Sequence, residues 1–260
     1  MPAITAPIQL SDHVYIVHAE FPHVDSGNVY LITGSHPTLI DCGSPRTVPQ
    51  LVKNIAQVGL EVHDIDQVIA THGDYDHVQG FHGLREMNQD LRLLIHRAEI
   101  TIVQGENAYS TASYLYDQPF VRLDPAYCAI LDDGDVVPAH GSGLKVVHTP
   151  GHTEGSICLL GEIDSVKMLF AGDTFGGAMR SLDGADLHVW ANAARTWMQS
   201  LRRLSALDFD IVLNGHELAA ELPIRRPKFD RLVKHFGKML DPWFSYEAPE
   251  PTGPMPTTSP

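Results

Sequence analysis

A short run of the chain concentrates side chains that can bind metal ions. Two imidazoles and two carboxylates lie within six residues, directly after the apolar stretch 68–70, and these are His72, Asp74, Asp76 and His77. Such groups are costly to bury unless they are paired or coordinated. At the end of a buried strand they therefore indicate a metal site in which the cation compensates the carboxylates. Taken alone, the run also fits a polar turn rich in aspartate and glycine.

Three further residues of ligand type lie in the same local setting. Each follows directly on, or within a few residues of, an apolar and β-prone run: His152, Asp173 and His216. Four strand ends thus supply seven candidate ligands. Because chance would not repeat these residue types at four strand ends, the pattern favours a metal centre built from distant parts of the chain. The strands must bring these ends together for the ligands to meet.

The order of these motifs resembles that of a known family. The chain carries His-x-Asp-x-Asp-His at 72–77, Gly-His-Thr at 151–153, Gly-Asp-Thr at 172–174 and Gly-His at 215–216. Across residues 10–220 it resembles the metallo-β-lactamase superfamily of dinuclear metallohydrolases. The resemblance implies a fold of the α/β (α+β) class, a four-layer αβ/βα sandwich.

The resemblance also implies how the ligands divide between two metal ions. The side chains expected to hold the first ion are His72, Asp74 and His152. Those expected to hold the second ion are Asp76, His77 and His216. Asp173 is expected to bridge the two ions, and Asp76 is assigned a catalytic role in addition to its role as a ligand.

Position 74 departs from the family pattern, since most members have His there and this chain has Asp74. A carboxylate adds negative charge and a harder oxygen donor, which shifts the metal preference from zinc toward iron or manganese without excluding zinc. We therefore expect two divalent ions per chain, with zinc favoured and iron or manganese as alternatives. A smaller departure is Gln79, where many members have the first of two glycines.

The function implied by the resemblance is hydrolysis of a small molecule. Two adjacent cations turn a bridging water into hydroxide and polarise a carbonyl or phosphoryl oxygen. An ester, lactone, thioester or related bond fits this chemistry, and a carboxylic ester or lactone is favoured because the acidic chain lacks an evident phosphate clamp. Two alternatives stay open: a non-haem di-iron redox enzyme (oxygenase or oxidase) on the same fold, and a non-catalytic metal- or ligand-binding regulatory protein.

The composition argues against several classes of protein. The chain has 260 residues and a formal net charge of −14, so it lacks the excess of basic residues that nucleic-acid binding needs. Its three cysteines are odd in number and show no CxxC spacing, which argues against a disulfide framework. No signal-peptide pattern opens the sequence, and no run approaches the ~18 apolar residues of a membrane span. We therefore expect a cytoplasmic protein off the membrane, with a small-molecule substrate and with a homodimer as an open possibility.

Apolar periodicity predicts the elements that must position the ligands. The predicted strands are 14–17, 28–32, 38–40, 68–71 and 92–96, with further strands from 136 onward. The predicted helices are 45–58, ended by Gly59, then 78–88, 189–204 and a basic C-terminal helix 226–242. We expect these elements to form a single domain, 1–246, followed by a disordered proline-rich tail, 247–260.

Two segments have more than one interpretation. The aromatic-rich segment 100–135 lies between two ligand motifs and is either a lid over the metals or a locally packed core. The candidate substrate-binding residues are Tyr109, Tyr114 and Tyr116 of this segment, together with His188. The basic C-terminal helix is either a solvated face or, by analogy with glyoxalase II, a surface that binds a substrate conjugate.

Overall fold

The chain forms two β-sheets that pack face to face. A computed structural model describes residues 3–20, 26–105, 110–175, 187–216 and 222–240, with the backbone alone at 187–194 and 235–240. The strands of the first sheet, in spatial order, are β1 (Ile8–Gln9), β2 (Val14–His18), β3 (Val29–Ile32), β4 (Thr38–Ile40), β5 (Gln67–Ile69), β6 (Arg92–His96) and β7 (Cys128–Leu131). Those of the second sheet are β13 (Ile224–Arg225), β12 (Ile211–Asn214), β11 (Val166–Gly172), β10 (Ile157–Ile163), β9 (Leu144–His148) and β8 (Val136–Val137).

Helices cover the outer faces of both sheets. The described helices are α1 (Val48–Val58), α2 (Tyr75–Val78), α3 (Phe81–Met87), α4 (Ile100–Val103), α5 (Leu187–Ser205) and α6 (Arg226–Leu240). Helix α1 ends at Gly59, as predicted, because this residue adopts a left-handed conformation with φ of 96° that suits glycine. Helices α5 and α6 confirm the two helices predicted for the C-terminal half.

Three apolar cores fill the spaces between the layers. Leu51 of α1 and Phe81 of α3 pack on the outer face of the first sheet. Phe170 lies between the two sheets, and Phe229 of α6 packs on the outer face of the second. Successive residues of a strand enter different cores, as the two-residue repeat of a strand requires. The predicted αβ/βα sandwich of four layers is therefore confirmed.

The directions of the strands bring the candidate ligands to one edge. Strands β4 to β7 run parallel, and so do β11 and β12. At the ends of these strands, Ile157 N donates to Thr71 O (2.9 Å) and Asn28 N donates to Gly215 O (2.7 Å), which joins the two sheets. We call the segments 71–77, 150–153, 172–174 and 214–216 the ligand edge.

The structure differs from one prediction of secondary structure. The helix predicted at 78–88 is broken between α2 and α3, so Asp76 and His77 lie in a helical turn and not in a loop. The break occurs at Gly80, whose N–H donates to Gly43 O (2.8 Å). Within the segment 100–135, whose lid and packed-core interpretations both stay predictions, residues 128–131 form β7 and pair with β6.

The limits of the domain and the nature of the tail stay predictions, since residues 241–260 lie outside the described ranges. Within those ranges, no helix combines the length and the apolar character that a membrane crossing needs.

Gly80 provides a test of how α2 is placed. A Cβ atom at this position would lie 2.1 Å from Cys42 O, a backbone atom that cannot move aside cheaply. We expect Gly80→Ala to lower the free energy of unfolding by about 1–3 kcal/mol, the usual range for overpacking, in urea denaturation of the metal-free protein.

The matched control is Gly83→Ala within α3. A Cβ there would lie 3.3 Å from Cγ1 of Val48, which is a side-chain atom, and alanine also favours the helix. If Gly80→Ala proves no more destabilising than Gly83→Ala, the close backbone approach does not determine the position of α2.

Candidate metal centre

The structure brings all seven candidate ligands together at the ligand edge. Five of them are buried to 5% exposure or less: His72, Asp74, Asp76, His77 and Asp173. The imidazoles of His152 and His216 complete the group, and their side chains are 8% and 16% exposed. A cluster of this kind is expensive to bury without compensation of its charge.

The ligand atoms fall into two groups. His72, His152 and Asp173 each offer one atom within 4.8 Å of the others, and Asp76, His77 and His216 do the same. The carboxylate of Asp173 faces both groups. Its Oδ2 lies 3.5 Å from His152 Nε2 and 3.1 Å from His216 Nε2. This placement is the one expected of a bridging residue.

Asp74 lies beside the first group. Its Oδ2 is 3.1 Å from His152 Nε2 and 3.4 Å from His72 Nε2. Asp74 stands at the N-cap of α2, yet its side chain makes no capping hydrogen bond there. The carboxylate is therefore directed at the imidazoles, where a ligand of the first ion is expected.

The donor set fits divalent metal ions. Four imidazoles and three carboxylates are the ligand types that zinc, iron and manganese accept. Within the described ranges, His72 Nε2 and Asp173 Oδ1 are buried and have no hydrogen-bond partner. Buried polar atoms are rarely left in that state, so these atoms suit a metal bond.

Charge compensation explains the pKa shifts in this cluster. Burial opposes ionisation of Asp173, but the imidazoles of His216 and His77 hold its pKa well below the usual range. Burial also opposes a positive charge on His77, but the carboxylates of Asp76, Asp173 and Asp41 raise its pKa to about 9. The carboxylates thus stay ionised and attract positive charge, which divalent cations supply most effectively.

A sequence model of the Metallo-beta-lactamase superfamily matches residues 23–216. The chain belongs to the metallo-beta-lactamase superfamily. The matched range includes all seven candidate ligands, from the motif at 72–77 to His216. Together with the two groups of histidine and aspartate, membership of this family indicates binding of divalent metal ions.

Two curated relatives share a substantial part of the sequence. The hydroxyacylglutathione hydrolase of Aeromonas hydrophila subsp. hydrophila is 26% identical over 219 residues, which cover 83% of this chain and 65% of the relative. The acyl-coenzyme A thioesterase MBLAC2 of Homo sapiens is 31% identical over 189 residues, which cover 63% of this chain and 64% of the relative. The chain spans less than two thirds of the length of either relative.

A solved structure shares the fold. The metallo-beta-lactamase GOB-18 from Elizabethkingia meningoseptica superimposes with a TM-score of 0.73 at 20% sequence identity, covering 92% of each chain. At this identity the similarity establishes the architecture and leaves the substrate open.

Asp41 supports the metallo-beta-lactamase centre from outside the ligand set. Its Oδ1 accepts from Thr71 N (2.7 Å), and its Oδ2 accepts from Thr71 Oγ1 (2.9 Å) and lies 2.8 Å from His77 Nδ1. A carboxylate in this position orients the imidazole toward a metal. Asp41 was not among the residues predicted from the sequence, although it directly follows β4 and the same strand-end criterion would have found it.

Glu99 joins two ligand-bearing loops and was also missed. Its Oε2 accepts from Gly73 N (2.7 Å), and its Oε1 accepts from Gly155 N (2.7 Å) and Thr153 Oγ1 (2.7 Å). Burial raises the pKa of Glu99, while these three donors work against the shift. The hydrogen bond from Gly73 to Glu99 also explains why glycine lies between the candidate ligands His72 and Asp74. A Cβ atom at Gly73 would lie only 2.7 Å from Glu99 Oε2. No local pattern in the sequence marks Glu99 for this role.

Part of the aromatic segment adjoins the centre. Tyr75 N donates to Thr111 O (2.8 Å), and the rings of Tyr75 and Tyr116 stack with centroids 5.2 Å apart. The buried amide of Gln79 makes a pair of hydrogen bonds to the backbone of Val121, at 2.8 and 2.9 Å. Gln79 replaces the glycine of many family members, so this departure from the motif fastens the segment to the end of α2.

The four candidate substrate-binding residues differ in exposure and in whether the structure describes them. Tyr116 is partly buried, and the carboxylate of Asp76 contributes to its raised pKa. Tyr114 is 38% exposed. Tyr109 and the side chain of His188 lie outside the described residues. Of the two candidates that the structure describes, Tyr116 has an interaction with a candidate ligand, the carboxylate of Asp76.

The role of Glu99 can be tested by Glu99→Gln. An amide nitrogen cannot accept a hydrogen bond, so either Gly73 N or the pair Thr153 and Gly155 loses its acceptor. We expect the affinity for zinc to fall about tenfold or more, as for other residues that orient metal ligands, in competition with a chromophoric chelator.

The matched control is Glu86→Gln on the exposed face of α3, which should leave zinc affinity unchanged. Equal affinities of the wild type and Glu99→Gln would mean that this carboxylate serves the local fold and does not position the ligands.

Proposed function

We propose that the chain is a metal-dependent hydrolase that cleaves the thioester bond of a small acyl conjugate. The observation that carries the proposal is the pair of ligand groups at one edge of the sandwich, with Asp173 within 3.5 Å of His152 in one group and 3.1 Å from His216 in the other. Of the two relatives described above, one is named a hydroxyacylglutathione hydrolase and the other an acyl-coenzyme A thioesterase. Their names favour a thioester over the carboxylic ester or lactone that composition suggested.

We assign the ligands of the two ions as the family pattern implies, with Asp173 as a ligand of both. The side chains proposed for the first ion are His72, Asp74 and His152. Those proposed for the second are Asp76, His77 and His216. When bound, two divalent ions would lower the pKa of a water molecule and polarise the thioester carbonyl. Zinc is the favoured metal, and the carboxylate of Asp74 also suits iron or manganese.

Asp76 has a proposed role beyond metal binding. Burial opposes its ionisation, but His77 and His216 hold its pKa below the usual range, so it remains a carboxylate. An ionised carboxylate can accept a hydrogen bond from the attacking water and orient it toward the carbonyl carbon.

The cysteines are poorly suited to replace water as the nucleophile. Burial and the neighbouring Asp41 raise the pKa of Cys42 well above its usual value. Burial raises the pKa of Cys158 to about 11, against weaker opposing contacts, and it raises that of Cys128 as well. Since the thiolate is the reactive form, these thiols stay protonated and are weak nucleophiles near neutral pH.

Tyr116 is proposed to contact the substrate. Burial and the nearby carboxylate of Asp76 raise the pKa of its hydroxyl, so the group stays protonated and can donate a hydrogen bond. Its ring is held by stacking on Tyr75, the first residue of α2. A fixed donor beside the ligands could stabilise negative charge that develops on the carbonyl oxygen.

The hydrolase proposal is tested with a panel of acyl-coenzyme A and S-acylglutathione thioesters, each beside its oxygen ester. We expect at least one thioester to be cleaved, with activity lost on chelation and restored by zinc, iron or manganese. Asp173→Ala should bind about one metal fewer and turn over at least ~10-fold more slowly, because both ions lose a shared anionic ligand.

Two results would contradict this proposal. If Asp173→Ala retains both metals and normal turnover, Asp173 is not a ligand that the mechanism requires. Visible absorption of an iron centre, with oxygen consumption but no thioester cleavage, would favour the redox alternative.

Tyr116→Phe tests the proposed donor. If the hydroxyl acts in the transition state, kcat should fall about tenfold or more while metal content stays the same. The matched control is Tyr114→Phe, whose side chain is more exposed and which should keep kcat within about twofold of the wild type. Similar kinetics for both variants would assign Tyr116 to packing alone.

A further inference from the structure

A second cluster of ligand-type residues lies far from the metal centre. It consists of His13, His140 and Asp164. His13 directly precedes β2 of the first sheet, whereas Asp164 lies in the turn between β10 and β11 of the second. His140 lies between β8 and β9, also in the second sheet. The cluster therefore bridges the two halves of the sandwich.

The cluster occupies the edge opposite to the ligand edge. Strand β11 starts just after Asp164 and ends just before Asp173. Its seven residues span about 23 Å at ~3.3 Å per residue. Strand β2 runs in the same direction as β4 and β5, because both β2 and β4 are antiparallel to β3. His13, which precedes β2, thus belongs to the far edge as well.

The side chains are close enough to share one ion. His13 Nδ1 lies 2.7 Å from Asp164 Oδ1, and His13 N donates to Asp164 Oδ2 (2.8 Å). The rings of His13 and His140 stack with centroids 3.7 Å apart and planes 16° apart, so one ring must rotate out of the stack for both in-plane lone pairs to reach one ion. All three residues offer a ligand atom within 4.8 Å of the others.

The surrounding backbone holds the three side chains in place. A Cβ atom at Gly34 would lie 2.2 Å from His140 Nδ1, so glycine at this position leaves the space that the imidazole occupies. Asp164 has a φ of 52°, a left-handed conformation that glycine, asparagine and aspartate adopt more readily than other residues. This conformation places Asp164 in a hairpin turn beside His13.

We propose that His13, His140 and Asp164 form a separate site for one divalent transition metal ion, which cross-links the two sheets at the edge opposite to the dinuclear centre. Two imidazoles and one carboxylate match zinc, whereas calcium and magnesium prefer oxygen ligands alone. The side chains of His13 and Asp164 are 35% and 15% exposed, so an ion can enter from solvent and complete its coordination with water.

Such a cross-link would make the folded chain more stable. An ion that binds only the folded chain raises the free energy of unfolding according to its concentration relative to its Kd. Because the ligands come from both sheets, the ion would oppose their separation at the edge where the dinuclear centre cannot act. The site adds no group to the proposed hydrolysis, and activity should not depend on it.

The amount of zinc bound per chain tests the proposal directly. The full chain, with its dinuclear centre loaded, is dialysed against zinc buffered by a weak chelator, and bound zinc is measured by elemental analysis. We expect the wild type to hold about one zinc more per chain than His140→Ala or Asp164→Asn. Asparagine tolerates the left-handed conformation, so Asp164→Asn preserves the turn if His140→Ala is poorly folded.

The matched control is His36→Ala. His36 Nδ1 lies 3.0 Å from Asp66 Oδ2 in an exposed histidine–aspartate pair, which belongs to none of the three-residue groups in the described part of the chain. This variant should keep the additional zinc. Equal zinc content in wild type and both cluster variants would overturn the proposal, and so would loss of the zinc in His36→Ala.

Thermal unfolding provides a second readout. At about a hundredfold excess of free zinc over Kd, zinc should raise the Tm of the wild type by about 5 °C more than that of either cluster variant. The same zinc-induced shift in all variants would show that only the dinuclear centre responds.

Discussion

Burial of three carboxylates beside four imidazoles is the constraint on which the rest of the structure depends. Asp74, Asp76 and Asp173 are each 5% exposed or less, and their charges cannot be left uncompensated in such surroundings. The imidazoles relieve part of this cost, as the opposite shifts in the pKa values of Asp173 and His216 indicate. Divalent cations would relieve more, which makes the stability of this edge depend on metal binding.

This constraint explains why glycine residues, which have no side chain, lie directly against several of the candidate ligands. A Cβ at Gly215 would lie 2.1 Å from Asp173 Oδ1, and a Cβ at Gly27 would lie 2.6 Å from His77 Cε1. Glycine at these positions allows the strand ends to approach the ligands. From outside the ligand set, Asp41 then orients His77, and Glu99 connects the loops that carry His72 and His152.

The same architecture does not determine substrate selectivity, which depends on the segments around the centre. Metal chemistry is shared by a superfamily that includes enzymes with many substrates, and fold alone does not discriminate between them. In this chain, residues 110–123 lie against α2 through Tyr75 and Gln79, whereas residues 128–131 belong to the first sheet. We therefore propose that selectivity resides in the first of these parts, in which Tyr116 interacts with the carboxylate of Asp76.

The sequence by itself determined which residues are the candidate ligands and most of the elements that carry them, because both depend on local patterns. Residue types at strand ends identified His72, Asp173 and His216, and apolar periodicity identified α1 and β6. Tertiary structure alone decided the contacts between distant segments. Glu99 meets Gly155 across 56 positions, and His13 meets Asp164 across 151, so no local pattern could connect them. The break at Gly80 has the same origin, since it depends on the backbone of Cys42 and Gly43, which the sequence places almost forty residues earlier.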